Sequence, residues 1–293
     1  MYGDFAGLCR EAENNGAGLW RAVLDREMYR NSLSEEEILT EVARCLEVMM
    51  ESSKFTEPSD GECISLVGDI ASRQRDFAKS EGSLCGASIN EAMADALSCI
   101  QSDYYMGKIC AMPTAGSCGI VPAVLFHTAR KTGAERERVI RGLLTAGGVG
   151  ALAAERATIS GAAGGCQAEC GVAAMMAAVA AAEMCGAEPE ASLSAGAFAM
   201  INAMGLVCDP VAGLIQIPCV YRNASQAMNA LLSVDLALAG NRSMIPLDEV
   251  VEAMYEVGQK MAPELRETAA GGVAGTDTAK KVERSVGFSI EDK

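Results

Sequence analysis

Apolar residues along most of this chain recur at intervals of three and four, the spacing of a helix face. No stretch alternates convincingly as a half-buried strand would. Ser34-Glu-Glu-Glu37 reads as a capping box that opens a helix reaching about Glu51, with Ile38, Val42, Cys45 and Met49 as its apolar stripe. A second box, Ser88-Ile-Asn-Glu91, predicts a helix from there to about Tyr105. Between them, Ser59 to Lys79 carries a weaker helical pattern behind turn signals at Pro58 and Gly61. Gly119 to Thr132 reads as a helix with Pro122 in its first turn, where a missing N–H is tolerated. Further helices are expected at about 135–158, 167–185, 190–206, 219–239, 247–262 and 277–286. Glycines at Gly147-Gly148, Gly161 to Gly165, Gly186, Gly240 and Gly271-Gly272 punctuate this half. Helices joined by such short connections predict an all-α fold, a compact multi-helix domain without a substantial sheet.

Composition sharpens that picture. Half of the 293 residues are hydrophobic but only 4% aromatic, so alanine, leucine, valine and methionine must build the core. The 30 glycines and 16 methionines suit close helix packing with adaptable filling of gaps. Near Lys108 the sequence shifts from Glu-rich to Ala/Gly-rich. Residues 1–107 are therefore read as a helical cap and 108–293 as the core that carries the chemistry, two parts of one continuous domain. A net charge of −15 argues against a nucleic-acid surface. The most apolar run, Gly171 to Ala182, is too short to span a bilayer, and no secretory signal opens the chain. A cytoplasmic location is expected.

Twelve cysteines without a CxxC pair fit neither a disulfide framework in a reducing compartment nor a zinc ribbon. Cys45, Cys99 and Cys185 fall within helical periodicity and read as core residues. Cys166, Cys208 and Cys219 differ, because each sits in a Gly- or Pro-rich turn and two of those turns lead into helices. A helix N-terminus stabilises a thiolate, and Gly164 and Gly165 would let backbone amides approach bound sulfides. Three thiolates can hold a metal cluster and leave one position vacant for substrate. Buried loop cysteines would show the same pattern. Cys170 has the spacing to face the same side as Cys166, but the expectation is that it packs within its helix.

Other segments carry candidate chemistry. Met112-Pro-Thr-Ala-Gly-Ser-Cys-Gly119 precedes a predicted helix, so its small residues and hydroxyls suit either a carboxylate or an ordinary capping turn. In Tyr221-Arg-Asn-Ala224, Arg222 and Asn223 lie near the third cysteine, and a lone Arg in a first turn is expected to be solvated. His127, the one histidine, reads as a packing or surface residue more than as a base. No lysine in the Gly-rich core is placed to anchor pyridoxal phosphate, Lys108 being the nearest.

Three phrases together resemble a known family. Pro113 to Pro122, Ser160 to Glu169 and Cys208 to Asn223 are similar, in order and separation, to the α chain of the iron–sulfur-dependent bacterial L-serine dehydratases. The likeness runs from about Gly107 to Gly272 and includes Leu265-Arg-Glu-Thr268. It implies that Cys166, Cys208 and Cys219 ligate a 4Fe-4S cluster and that L-serine becomes pyruvate and ammonia. It also implies an all-helical catalytic domain and a separate β chain, hence a hetero-oligomer, with the general base on that partner. Thr114, Gly116, Ser117, Gly119 and Asn223 are the expected substrate-binding residues. The stretch Ser53 to Gly61 departs from the family's Thr-Gly-Gly phrase, and Cys118 and Cys170 stand where small or aliphatic residues are expected. The tail Ser289-Ile-Glu-Asp-Lys293 has no cysteine with which to cap a cluster. Two rivals remain: a cluster-dependent lyase for another β-substituted amino acid such as L-cysteine, and a non-catalytic iron–sulfur scaffold or electron carrier.

Overall fold

A computed structural model describes residues 2–56 and 65–287. The elements run α1 (Phe5–Asn15), α2 (Leu19–Asn31), α3 (Glu35–Ser52), α4 (Ile70–Phe77), α5 (Gly86–Tyr104), α6 (Ile120–Thr132) and α7 (Arg136–Arg156). They continue through α8 (Gly161–Gly164), α9 (Cys170–Met184), α10 (Pro189–Ala203), α11 (Cys219–Leu238), α12 (Leu247–Lys260) and α13 (Asp277–Val286). Among the described residues there is no strand, and the one isolated β-bridge joins Cys208 to Arg266. The all-α expectation holds.

The centre of the molecule is α9. Fourteen of its residues, Cys170 to Ala182 and Met184, are buried, so it has no polar face to show water. It packs against α10, α11, α7 and α6. Seven of its fifteen residues are alanines, and its longer methionines need space on the neighbouring helices. Glycines provide it: a Cβ at Gly142 would lie 2.6 Å from Met184 Sδ, and one at Gly150 would lie 2.6 Å from Met176 Cε. Each methionine buried in this way stabilises the fold by about 1.5–3 kcal/mol. Gly147 and Gly148 do not form a turn, and Gly147 is exposed with nothing near the position of a Cβ. They lie inside α7, where a Cβ at Gly148 would collide with Val23 of α2.

Ser34 and Glu37 form the expected capping box at the start of α3. Its buried stripe is rotated, however: Ile38, Leu46 and Met49 face the core while Cys45 is exposed. The Ser88 box does not start a helix. α5 begins two residues earlier, after Cys85, and has no side-chain cap. Cys99 is buried and Cys185 half-buried, as core readings require. The weak pattern after Pro58 yields only α4, and its first part, like Glu57 to Gly61 of the departing stretch and the Ser289 tail, lies outside the described residues. α1 and α2 were not legible as periodic segments. No described helix is long and apolar enough to cross a membrane.

Candidate active site

Three helix N-termini lie near one another, those of α6, α9 and α11. None is capped by the side chain of its own N-cap residue, and the aligned peptide dipoles give each end a partial positive charge. Asn223, in the first turn of α11, locks two of them together. Its Nδ2 donates to the Gly116 carbonyl at 2.7 Å and to the Cys219 carbonyl at 2.9 Å, while its Oδ1 accepts from the Gly119 amide at 2.9 Å. Asn223 is fully buried. Ser117 is buried as well, its Oγ accepting from the Thr114 amide at 3.3 Å and lying 3.2 Å from the Thr114 hydroxyl. These bonds fix the shape of the 114–119 loop from within.

The cysteine turns are pinned with equal care. Gln167, fully buried, donates to the Met254 carbonyl of α12 at 2.8 Å and accepts from the Gly205 amide at 2.8 Å. That anchors the 3-10 turn Cys166–Ala168 just ahead of α9. Cys208 lies in extended backbone, its N–H donating to the Leu265 carbonyl and its carbonyl accepting from the Glu267 amide at 2.7 Å. Cys219 is the first residue of α11. Arg222, expected to be solvated, is instead held inside: it donates to the Val207 carbonyl at 2.5 Å and to Asp209 Oδ1 at 2.8 Å. Asp209 also accepts from the Val273 amide at 2.7 Å, tying the 265–273 loop to the segment that carries Cys208. The guanidinium has these fixed acceptors because Val207 to Asp209 runs beside the first turn of α11, a proximity no local pattern encodes.

The thiols of Cys166, Cys208 and Cys219 are brought into one electrostatic neighbourhood. Cys170 donates its S–H toward Cys166, and with help from Arg222 this lowers the Cys166 thiol despite burial. Burial raises Cys208, and the nearby carboxylate of Glu169 raises it further. Cys219 is pushed up to about 12 by burial and then by Cys166. All the described cysteines are free. Cys170 is thus buried within its helix, as expected, and also turned toward Cys166. Cys118 faces away, into a separate cluster with Cys99 and Val220.

Sequence reasoning passed over Glu169. Its Oε2 accepts from the Thr114 hydroxyl at 2.8 Å and its Oε1 lies 3.5 Å from Cys208 Sγ, linking the 114–119 loop to the cysteine turns. Burial raises its carboxyl above the usual range. A Cβ at Gly161 would collide with this carboxylate and come within 3.0 Å of Cys208 Sγ, so glycine there keeps the space open. The available signal was that Glu169 is the single carboxylate between Glu155 and Glu183. Ligand atoms of Glu169, Cys208 and Glu267 all lie within 4.8 Å of one another, a group able to hold a metal. His127 is half-buried on α6, its Nδ1 without a hydrogen-bond partner, and burial lowers its pKa.

The structure is that of an all-helical protein that gathers cysteines and carboxylates near helix N-termini. The family model for the serine dehydratase alpha chain matches residues 14–274, and the chain belongs to that family. It is 44% identical to the L-serine dehydratase alpha chain of Peptoniphilus asaccharolyticus over 94% of each chain. It is 44% identical to a probable L-serine dehydratase alpha chain of Bacillus subtilis strain 168, over 90% of this chain and 88% of the relative. An L-serine dehydratase of Escherichia coli K12 is also 44% identical, over 57% of this chain and 37% of that longer protein.

Proposed function

We propose that this chain is the α subunit of an L-serine ammonia-lyase that converts L-serine to pyruvate and ammonia with a 4Fe-4S cluster held by Cys166, Cys208 and Cys219. The observation that carries the reading is the convergence of these three free thiols on uncapped helix ends. The donor set fits such a group. Three sulfur ligands, room kept by Gly161 and backbone N–H groups facing an anionic site are what a thiolate-bound cluster requires. When bound, the cluster supplies a Lewis acid at an iron that the protein leaves unsaturated, which suits a hydroxyl that leaves poorly.

The chain's own residues do the positioning. Thr114, Gly116, Ser117 and Gly119 present the N-terminus of α6, whose N–H groups favour the substrate carboxylate. Asn223 takes part through the three hydrogen bonds that hold this loop against α11, and only one acceptor position of its amide is left for a ligand. Arg222 offsets the thiolate charge at Cys166. Removal of the Cα proton and loss of water give 2-aminoacrylate, which tautomerises and hydrolyses to pyruvate and ammonia. The β chain is the proposed source of the base, because no histidine of this chain takes part in the described contacts of the site. The reduced thiols suit a cytoplasmic location.

The test is anaerobic reconstitution with iron and sulfide, with and without the β chain, followed by assay of pyruvate from L-serine, L-threonine and L-cysteine. The expected outcome is turnover of L-serine with the β chain present. Cys208→Ala should abolish both the visible absorbance of the cluster and turnover. An active, colourless C208A contradicts the assignment, and a preference for L-cysteine replaces the substrate.

A further inference from the structure

A cavity of about 440 Å³ opens among α3, α4, α5, α6 and α7, and none of its lining residues belongs to the cysteine site. Its charge runs against that of the chain. Four basic side chains line it, Lys54, Arg75, Arg130 and Arg136, against a single carboxylate, Asp95, in a protein of net charge −15. Asp95 is only 7% exposed and is shared, its Oδ1 accepting from Arg75 at 3.2 Å and its Oδ2 from Arg130 at 2.8 Å. One carboxylate offsets one of these guanidiniums and leaves one positive charge over. Arg75 also donates to the Ser53 carbonyl and the Ser98 hydroxyl, both at 3.0 Å, and Arg136 pairs with Glu47. Arg130 has one nitrogen engaged, Nη2. The Lys54 ammonium has no ion pair or hydrogen bond among the described residues. Two cationic groups with free N–H donors therefore line one cavity.

Much of the remaining wall is apolar. Leu46 and Val139 are buried and Phe126 is half-buried, so hydrocarbon surface lies beside the charges. An inorganic anion leaves that surface uncovered, and a neutral hydrocarbon leaves the donors unmatched. A molecule with both parts satisfies both. We propose that this cavity binds a small organic carboxylate with an apolar body, the carboxylate taken by Lys54 and Arg130 and the body laid on Leu46, Phe126 and Val139. Its volume lies within the range of small-molecule sites, about 300–1,000 Å³. Asp95 already holds the Arg130 guanidinium, so little freedom is lost when the free edge of its planar fork meets a second carboxylate. Lys54 stands on the exposed side of the cavity, where water and salt screen its attraction. The charged bonds select the anion, and the apolar surface adds affinity in proportion to the area covered.

The test is isothermal titration calorimetry at low ionic strength, first of the full chain and then of its complex with the β chain. The probes are sodium 4-phenylbutyrate, 4-phenyl-1-butanol, which lacks the charge, and sodium acetate, which lacks the apolar body. Phenylbutyrate is expected to bind at one site per chain, and the alcohol and acetate at least about tenfold more weakly. Lys54→Gln and Arg130→Gln should each weaken phenylbutyrate about 3- to 10-fold and leave the alcohol unchanged. R130Q also removes a partner of Asp95, whereas K54Q removes no side-chain contact of the fold, so K54Q decides even where R130Q fails to fold. No binding of phenylbutyrate, equal binding of the alcohol, or unchanged affinity in K54Q each overturns the proposal. Loss of the site in the complex also overturns it, and makes these cations a contact for acidic residues of the β chain instead.

Discussion

Asn223 uses its side-chain amide on the protein itself, and a mutation there reads out how the site is built. Asn223→Ala removes the partner of the buried Gly119 amide and of the Gly116 carbonyl. Each orphaned group costs about 1–3 kcal/mol, so thermal unfolding should shift to clearly lower temperature and the reconstituted iron content should fall. An unchanged melting temperature would mean that the loop holds its shape without Asn223. The cysteine trio was legible in the sequence because Gly and Pro mark turns and a cysteine in a turn is conspicuous. Glu169 was not, because a glutamate before an apolar helix reads as an ordinary first-turn acid. Its partners, Thr114 and Cys208, lie 55 and 39 residues away. Arg222 was misread for the same reason, its acceptors being 15 and 13 residues back along the chain.

Helices here are capped by one another as well as by their own flanks. Asp248, in the first turn of α12, accepts from the Phe5 amide at 3.0 Å and the Ala6 amide at 2.9 Å, completing the start of α1. Glu183, near the end of α9, accepts from the Trp20 amide of α2 at 3.0 Å and from the Thr145 hydroxyl of α7 at 2.5 Å. Burial raises the Glu183 carboxyl above its ordinary value of 4.5. The folded chain therefore binds this proton more tightly than the unfolded chain does. Its contribution to stability is fully present below the ordinary value and is lost as pH rises through the raised one. Thermal unfolding across that window should show a decline with rising pH that Glu183→Gln makes shallower; an identical slope in E183Q would place the decline elsewhere. Such a remote cap explains why α2, whose N-cap Gly18 has no side chain of its own, escaped sequence reading whereas α3, with its own Ser34 and Glu37, did not. α9 was found as a segment, but its place at the centre is a tertiary property, since a helix apolar on every side has no periodic face to read.

At the scale of the whole molecule, a chain of net charge −15 brings thiols and carboxylates together, and the ends of α6, α9 and α11 supply the opposing field. The helical content and most helix boundaries followed from hydrophobic spacing, but the meeting of these three ends did not, because it depends on the Ala- and Gly-lined contacts around α9. The account's central claim is an iron that three cysteines leave open to substrate. Mössbauer spectroscopy of the iron-57-reconstituted enzyme with its β chain, before and after addition of L-serine, addresses it most directly. The account predicts that one iron of the cluster changes its environment on addition of L-serine while the other three do not. A cluster in which no iron responds, or in which every iron keeps a protein ligand with serine present, would contradict it.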